Sequence, residues 1–222
     1  MRLLVQGNPT EGFSVGDTDH RIDNARAEEI AEKCFRAGLL LVEMEKLNEA
    51  YALFCRGIEL NPQHALLQFA LGQAFDSGLG VEKDDSKAVE WYRRAAEQGL
   101  MGAMYFLAEK LQHGQGVHDP ERALDWYRKA AEGGLPEAQF TLGEYYLLCE
   151  VEPVVKNWRQ AAFWFRKAAE QGHSNARLRF AGMNEDGLGL PQDFGAAKYW
   201  YCRAADQGNV QAQAALEQYE AE

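Results

Sequence analysis

The chain has 222 residues, of which 46% are hydrophobic and 26% are charged, and its 23 basic and 34 acidic residues give a net charge of −11. This composition is that of a folded globular protein with enough residues for one large domain or two small ones. The acidic balance repels phosphate backbones and anionic lipid surfaces, which excludes nucleic acid as a primary partner and disfavours a membrane surface. No apolar run approaches the length of a membrane span.

The first twenty residues contain Arg2 and a Gly-Asn-Pro-Thr string but no apolar core, so we expect no secretory signal. The four cysteines form no CxxC motif, which favours buried thiols in a reducing compartment: Cys34, Cys55, Cys149 and Cys202. We therefore expect a cytoplasmic protein. Residues 1–24 match no pattern and are expected to form an arm or a short cap.

Residues 25–64 are predicted to form the first helix pair. Gly38, Phe54 and the closing string Ile58-Glu59-Leu60-Asn61-Pro62 lie at the signature spacing of the tetratricopeptide repeat, and this segment resembles one such repeat. Asn48 is predicted to cap its second helix, because its side chain can accept from free backbone N–H groups.

Four sequence repeats follow between residues 65 and 209, each with an aromatic pair and a closing string similar to AAEQG. They span 65–100, 101–135, 136–173 and 174–209. The aromatic pairs are Trp91-Tyr92, Trp126-Tyr127, Trp164-Phe165 and Trp200-Tyr201, with tryptophan-to-tryptophan steps of 35, 38 and 36 residues. Because one helix pair cannot bury its apolar face alone, this period predicts a stacked solenoid.

Each repeat has two helical stretches and none of the period-two alternation of strands, so the predicted fold is all-α. The first helix ends at glycine, as at Gly78 and Gly114, where a left-handed conformation has no steric cost. The second begins at a capping residue, for which Asp119, Asn157 and Asp193 are the candidates.

The first of the four repeats contains Leu71-Gly72, Gly78-Leu79-Gly80-Val81, Lys87-Ala88, Trp91-Tyr92 and Ala95 to Gly99. These motifs resemble the Sel1-like repeat, a relative of the tetratricopeptide repeat. The resemblance implies a right-handed α-solenoid of stacked antiparallel helix pairs. With a capping helix in residues 210–222, we expect about eleven helices. The third repeat has Cys149 to Pro153 in place of the glycine-rich turn, and we expect a protruding loop there.

The tryptophans that recur with the period are predicted to be core residues between neighbouring helix pairs: Trp91, Trp126, Trp164 and Trp200. The adjacent alanines, such as Ala95 and Ala96, are expected where two helices approach closely. On this interpretation, replacing Trp126 with alanine costs about 3–5 kcal/mol of stability.

No constellation of catalytic or metal-binding residues is recognisable. His113 and His118 flank a glycine-rich turn and are not spaced i, i+4 on one helix, which favours exposed loop histidines over a zinc site. The glycines at Gly78 and Gly187 follow helices, so they indicate repeat turns and not a phosphate cradle. We therefore predict a non-enzymatic protein without metal or cofactor.

The resemblance also implies that the first helix of every pair lines a peptide-binding groove. The matching small residues are Gly38, Gly72, Ala108, Gly143 and Ala181. Three residues before them stand Phe35, Phe69, Tyr105, Phe140 and Leu178, an aromatic ladder with one leucine. One and four residues after them stand Leu39, Gln73, Glu109, Glu144 and Gly182, and Val42, Asp76, Gln112, Leu147 and Glu185.

This register predicts a groove with large apolar anchors and a mildly acidic flank, suited to an apolar segment that carries Lys or Arg. The alternative, equally supported, is that the same rings pack between the two helices of a tighter superhelix. Trp158 lies outside the repeat pattern beside Val154 and Val155, and is either a second contact site or a local filler.

The function predicted from these features is a monomeric protein–protein interaction adaptor. The family resemblance implies roles in bacterial signalling, envelope regulation or complex assembly. One alternative is a self-assembling structural protein, which the polar helix at the C-terminal end disfavours. Another is a β-lactam-binding hydrolase of the Sel1-like type, but the cysteine pair that such proteins carry in every repeat is missing here.

Overall fold

A computed structural model describes residues 15–114, 118–148 and 156–221, with side chains between residues 23 and 218. These ranges hold eleven helices and no strand, which confirms the all-α prediction. The helices are α1 Val15–Glu43, α2 Leu47–Leu60, α3 Ala65–Ser77, α4 Asp85–Glu97, α5 Met101–His113, α6 Pro120–Glu132, α7 Pro136–Leu148, α8 Trp158–Glu170, α9 Ser174–Asp186, α10 Phe194–Ala205 and α11 Val210–Ala221.

Each helix packs mainly against its neighbours in sequence, so that α1 pairs with α2, α3 with α4, and so on along the chain. These pairs stack into a solenoid whose first helices are the odd-numbered ones and whose second helices are the even-numbered ones. Helix α1 begins at Val15, inside the segment 1–24 that the sequence sets apart. The loop expected at Cys149 to Pro153 lies outside the described residues, as do residues 1–14.

Three of the predicted N-caps are confirmed by side-chain to backbone hydrogen bonds. The backbone N–H groups of Arg122, Gln160 and Ala196 donate to Asp119, Asn157 and Asp193 at 3.1, 3.1 and 2.9 Å. The predicted cap at Asn48 is wrong, because α2 begins one residue earlier, at Leu47, and places Asn48 inside the first turn.

The glycines that end the first helices adopt two different conformations. Gly78 is left-handed with φ 73°, as predicted, whereas Gly114 is extended with φ −71°. A further glycine, Gly80, has φ 72°, and a Cβ there would lie 2.2 Å from the carbonyl oxygen of Leu47. The turn of one repeat therefore packs directly on the start of the preceding second helix, and Gly189 meets Trp158 in the same way at 2.3 Å.

The small residues of the register lie where the two helices of a pair cross. A Cβ on Gly72 would lie 2.5 Å from the ring of Tyr92, and one on Gly143 would lie 2.7 Å from the ring of Phe165. In each of the four repeats, the large buried side chain at this helix crossing is the second residue of the aromatic pair. These residues are Tyr92, Tyr127, Phe165 and Tyr201, which are 1%, 0%, 0% and 6% exposed.

The prediction that the tryptophans form the core needs correction. All four indoles are half-buried: Trp91, Trp126, Trp164 and Trp200. They lie one helical step from the buried rings, about 100° around the helix axis. Trp91 and Trp200 each pack against two neighbouring core clusters, so these two indoles cover seams between helix pairs.

Candidate protein-interaction site

The predicted aromatic ladder is half-buried on the first helices and packs against the second helices. Phe69 lies 5.7 Å from Tyr92 between ring centroids, and Phe140 lies 5.7 Å from Phe165. Phe35 and Tyr105 make the corresponding contacts, 6.5 Å to Phe54 and 5.6 Å to Tyr127. These rings thus pack between the two helices of a pair, as the alternative interpretation expects, but they are not fully buried.

The last two members of the ladder meet at a pocket between α7, α9 and the start of α11. The pocket has a volume of about 370 Å³ and is lined by Phe140, Asn175, Leu178, Arg179, Asn209, Val210 and Gln211. Phe140 is held against it by stacking on His173, with the ring centroids 4.7 Å apart. The site therefore combines two apolar walls with amide and guanidinium groups.

The amide groups of this pocket are oriented by a short network. Asn209 donates through Nδ2 to Asn175 Oδ1 and Ser174 Oγ, each at 3.3 Å. Its Oδ1 accepts from the backbone N–H of Ala212 at 3.1 Å, which caps α11. In the described part of the chain the amide nitrogen of the exposed Asn175 has no protein acceptor, so it can donate to a bound chain.

The acidic residues predicted to flank the groove fall into two groups. In the described part of the chain, some have a Lys or Arg within ion-pair distance and others do not. Asp76 lies against the ammonium group of Lys110, which also contacts Asp85 at 2.8 Å. The Tyr92 hydroxyl donates to Asp76 at 3.2 Å. Burial, together with the nearby Asp76 carboxylate, raises the pKa of Tyr92, so this phenol stays a donor. The charge of Asp76 is thus compensated within the solenoid.

Glu109 and Glu185 instead accept from tyrosines of their own helix pair. The Tyr127 hydroxyl donates to Glu109, and the Tyr201 hydroxyl donates to Glu185 at 2.7 Å. Burial raises the pKa of Tyr127, which keeps it protonated. No Lys or Arg within the described ranges lies within ion-pair distance of either carboxylate, so neither is compensated by a cation there.

In the third repeat, the tyrosine that would donate to the first-helix carboxylate Glu144 is replaced by phenylalanine. The aromatic residue of its pair is Phe165, which has no hydroxyl to donate. Arg179 from the next first helix approaches instead, with Nε 2.9 Å from Oε1, although this buried oxygen gains no well-aligned hydrogen bond. The charge of Glu144 is therefore paired across repeats.

The other residues predicted to line the groove lie outside this pocket and outside the ion pairs just described. Gln73 and Gln112 are half-buried on α3 and α5, and Leu147 packs against the core cluster around α8. Near the N-terminal end of the solenoid Leu39 is 42% exposed and Val42 is half-buried.

Trp158 is the first residue of α8 and is 44% exposed. Its backbone supports Gly189, while Lys156 Nζ lies 5.3 Å from its ring. A shallow pocket of about 440 Å³ lies beside it. The neighbouring Val154 and Val155 lie outside the described residues, so both interpretations of this tryptophan remain predictions.

Sequence reasoning missed the polar residues of the pocket, namely Asn175, Arg179 and Asn209. Asn175 and Asn209 follow the closing glycines Gly172 and Gly208 within three residues, where the chain turns into the next first helix. That placement is the signal that could have identified them, because the first turns of successive first helices lie side by side at one edge of the stack.

Within the described ranges, no group of three or more His, Cys, Asp or Glu side chains is arranged to hold a metal ion. The cysteines there are free thiols, buried at Cys34 and half-buried at Cys55 and Cys202. None of the described helices is long and apolar enough to cross a membrane.

These features define an α-solenoid repeat protein with a ligand-sized pocket on its first-helix face. The Sel1 repeat model matches residues 65–100, 102–135, 136–173 and 176–209, which is more than half of the chain. The chain therefore belongs to the Sel1 repeat family, whose members mediate protein–protein interactions.

Two solved structures share this architecture. A Sel1 repeat protein from Oxalobacter formigenes is 34% identical, with a TM-score of 0.72 over 78% of this chain and 49% of that one. The protective antigen c5321 of uropathogenic Escherichia coli is 25% identical, with a TM-score of 0.59 over 87% of this chain and 50% of that one. This chain thus spans about half of each.

A curated relative is the ERAD-associated E3 ubiquitin-protein ligase component HRD3A of Arabidopsis thaliana. It is 32% identical over 84 residues, which are 38% of this chain and 12% of that protein. The similarity thus covers a small part of a much longer protein.

Proposed function

We propose that this chain is a non-enzymatic scaffold that binds a segment of a partner protein on its first-helix face. The observation that carries the proposal is the pocket between α7, α9 and α11, where Phe140 and Leu178 lie beside the amide of Asn175. Apolar anchors together with side-chain amides suit an extended chain, because they contact its side chains and its backbone respectively.

The partner segment is proposed to be apolar and to carry Lys or Arg. Glu109 and Glu185 support this choice, since they hold negative charge without a cation in the described part of the chain. Asp76 and Glu144 contribute less, because Lys110 and Arg179 already compensate them. The acidic groups would set the orientation and association rate of the segment more than its affinity.

The cellular role proposed for the scaffold is in bacterial signalling, envelope regulation or complex assembly, in the cytoplasm. The curated relative HRD3A is itself a component of a ubiquitin-ligase system. It supports a role in complex assembly in general terms.

The test is affinity capture followed by mass spectrometry and titration of the captured partner. The variant of choice is Asn175→Trp, because residue 175 is exposed and an indole there fills the pocket without removing a core side chain. Alanine at Phe140 is less suitable, since that ring packs against Phe165 and His173. The matched control is Glu121→Trp, on the exposed surface of α6.

We expect the wild type and Glu121→Trp to capture the same partner, and Asn175→Trp to bind it at least about tenfold more weakly. All three should have equal melting temperatures by circular dichroism. Equal binding by Asn175→Trp would contradict the site, and the absence of any partner would contradict the scaffold function.

A further inference from the structure

The second helices of the last two repeats present an aromatic side chain where those of the first two present an acid. The residues directly before the four periodic tryptophans are Glu90, Asp125, Phe163 and Tyr199. Phe163 and Tyr199 are 47% and 52% exposed, and their rings pack edge-on against Trp164 and Trp200 at 4.9 and 5.1 Å. The last two repeats therefore expose aromatic surface that the first two do not.

This exchange also changes the charge balance. In the first two repeats Glu90 pairs with Arg94, and Asp125 pairs with Arg128 at 3.2 Å. Phe163 has no such charge, and the basic residue four positions later, Lys167, instead lies with Nζ 5.5 Å from its ring.

Arg203 lies in the same way 5.8 Å from Tyr199. In the ranges that the structure describes, neither Lys167 nor Arg203 has an acidic partner within ion-pair distance. Two uncompensated cations therefore lie next to exposed rings.

The second helices of the first two repeats also differ in total charge from those of the last two. Helices α4 and α6 together contain six basic and six acidic residues, whereas α8 and α10 contain five basic residues and one acidic residue. That single acid, Glu170, is already paired with Arg166 at 2.8 Å. A locally basic region thus lies on a chain with a net charge of −11.

The two helices that carry this region both pack against α9, and the segments that flank them are in contact with each other. At their C-terminal ends the Gln207 side chain donates to the carbonyl oxygen of Gly172 at 3.0 Å. At their N-terminal ends Gly189 packs on the backbone of Trp158. A pocket of about 550 Å³ opens beside Phe163, lined by Lys167 and Gln171 and also by Glu132 and the paired Glu170. We name Phe163, Trp164, Lys167, Tyr199, Trp200 and Arg203 the aromatic-basic surface.

We propose that the aromatic-basic surface is a second docking site, which binds an acidic segment of a partner protein that carries apolar side chains. Exposed aromatic rings supply anchors for apolar side chains, and the cations beside them pair with carboxylates. Nucleic acid fits less well, because a phosphate backbone is held by several Lys or Arg contacts, whereas only Lys167 and Arg203 lie beside the exposed rings. The site lies on the second helices and does not depend on the pocket between α7, α9 and α11.

The test uses a phage-displayed library of random peptides selected on the immobilised full chain at low ionic strength. The selected peptides are then titrated by fluorescence anisotropy against the wild type and the double variant Phe163→Glu, Tyr199→Glu. This variant introduces the acid-to-base spacing of Glu90 and Arg94, so each helix gains an i, i+4 ion pair and should fold normally. A second double variant, Lys167→Gln with Arg203→Gln, removes only the charges.

We expect the selection to enrich peptides that combine Asp or Glu with Phe, Leu or Trp. Both double variants should bind them at least about tenfold more weakly, and Asn175→Trp should bind them as the wild type does. Affinity should also fall as salt is added, because exposed charges are screened.

Enrichment of basic peptides, or of none, would overturn the proposal, as would a double variant that binds the selected peptides as tightly as the wild type does. Two further results would assign the surface to another occupant and would also overturn it. One is a dimer of this chain that the glutamate variant abolishes, and the other is a single-stranded oligonucleotide that binds in place of the acidic peptides.

Discussion

At the scale of single residues, the two members of each aromatic pair differ in burial although they are adjacent in sequence. Tyr127 is fully buried against the crossing of α5 and α6, whereas Trp126 is half-buried and has Lys129 4.0 Å above its ring. The side chain that follows the tryptophan points to the partner helix, and the indole itself points to the edge of the core. Size and periodicity alone do not distinguish these two directions.

This difference predicts unequal effects of truncation. Tyr127→Ala should lower the free energy of unfolding by about 3–5 kcal/mol, because it leaves a cavity and an unpaired Glu109. Trp126→Ala should lower it by about 2 kcal/mol, since only the covered part of the indole is lost. Urea unfolding followed by circular dichroism measures both. A larger loss for Trp126→Ala would contradict the assignment of the buried ring.

At the scale of elements, the start of α9 depends on an uncharged histidine. His173 accepts through Nδ1 from the backbone N–H of Ala176 at 3.1 Å, while its ring stacks on Phe140. Burial lowers the pKa of His173, although the nearby Glu137 acts in the opposite direction. Protonation would remove the acceptor that caps the helix and add a positive charge at its N-terminus, where the helix dipole is already positive.

The cap therefore predicts a dependence of stability on pH. Since the folded state holds the pKa below its unfolded value, the contribution of His173 is complete above about pH 6.5 and is lost as the pH falls through the lowered value. His173→Asn keeps a capping acceptor that does not titrate, so this variant should lose less stability than the wild type between neutral pH and about pH 5. Urea unfolding at both pH values is the measurement, and identical losses would contradict the role of the cap.

At the scale of the whole molecule, the stack is held together by contacts between one helix pair and the next. The buried amide of Gln139 donates to the carbonyl oxygen of Ala131 at 3.1 Å and accepts from Gln171 at 2.9 Å, which joins three successive helices. At α11 the apolar contact is made by Ala212, which is fully buried, whereas Gln213 and Glu217 on the same helix are exposed. The exposed side chains of α11 up to residue 218 are thus mostly polar, apart from Val210 and Ala214, which disfavours stacking against another helix pair.

We accordingly predict that this chain is a monomer in solution. Multi-angle light scattering after size exclusion should give a mass near 25.0 kDa that does not change with concentration. The double variant Phe163→Glu, Tyr199→Glu serves as the comparison, because it removes exposed aromatic surface outside α11. A mass that grows in steps with concentration would instead support the self-assembling structural protein.

The amino-acid sequence by itself determined the features that depend on local geometry and period. Glycine at a helix crossing, Asp119 and Asp193 as caps, and a repeat of 35 to 38 residues each imply one arrangement of neighbouring residues. These signals suffice for helix pairs and for their stacking, because every repeat must bury its apolar face against the next. The prediction that Phe140 and Leu178 belong to one face came instead from the resemblance to the tetratricopeptide repeat.

Only the tertiary structure decided which charges stay available on that face. Lys110 compensates Asp76 from a different repeat, and Arg179 reaches Glu144 because Phe165 offers no hydroxyl. Such pairs join residues far apart in sequence, and their formation depends on the distance between neighbouring helices. A repeat period specifies the order of the helices but not that distance, so the pairing of long charged side chains follows from the packed stack alone.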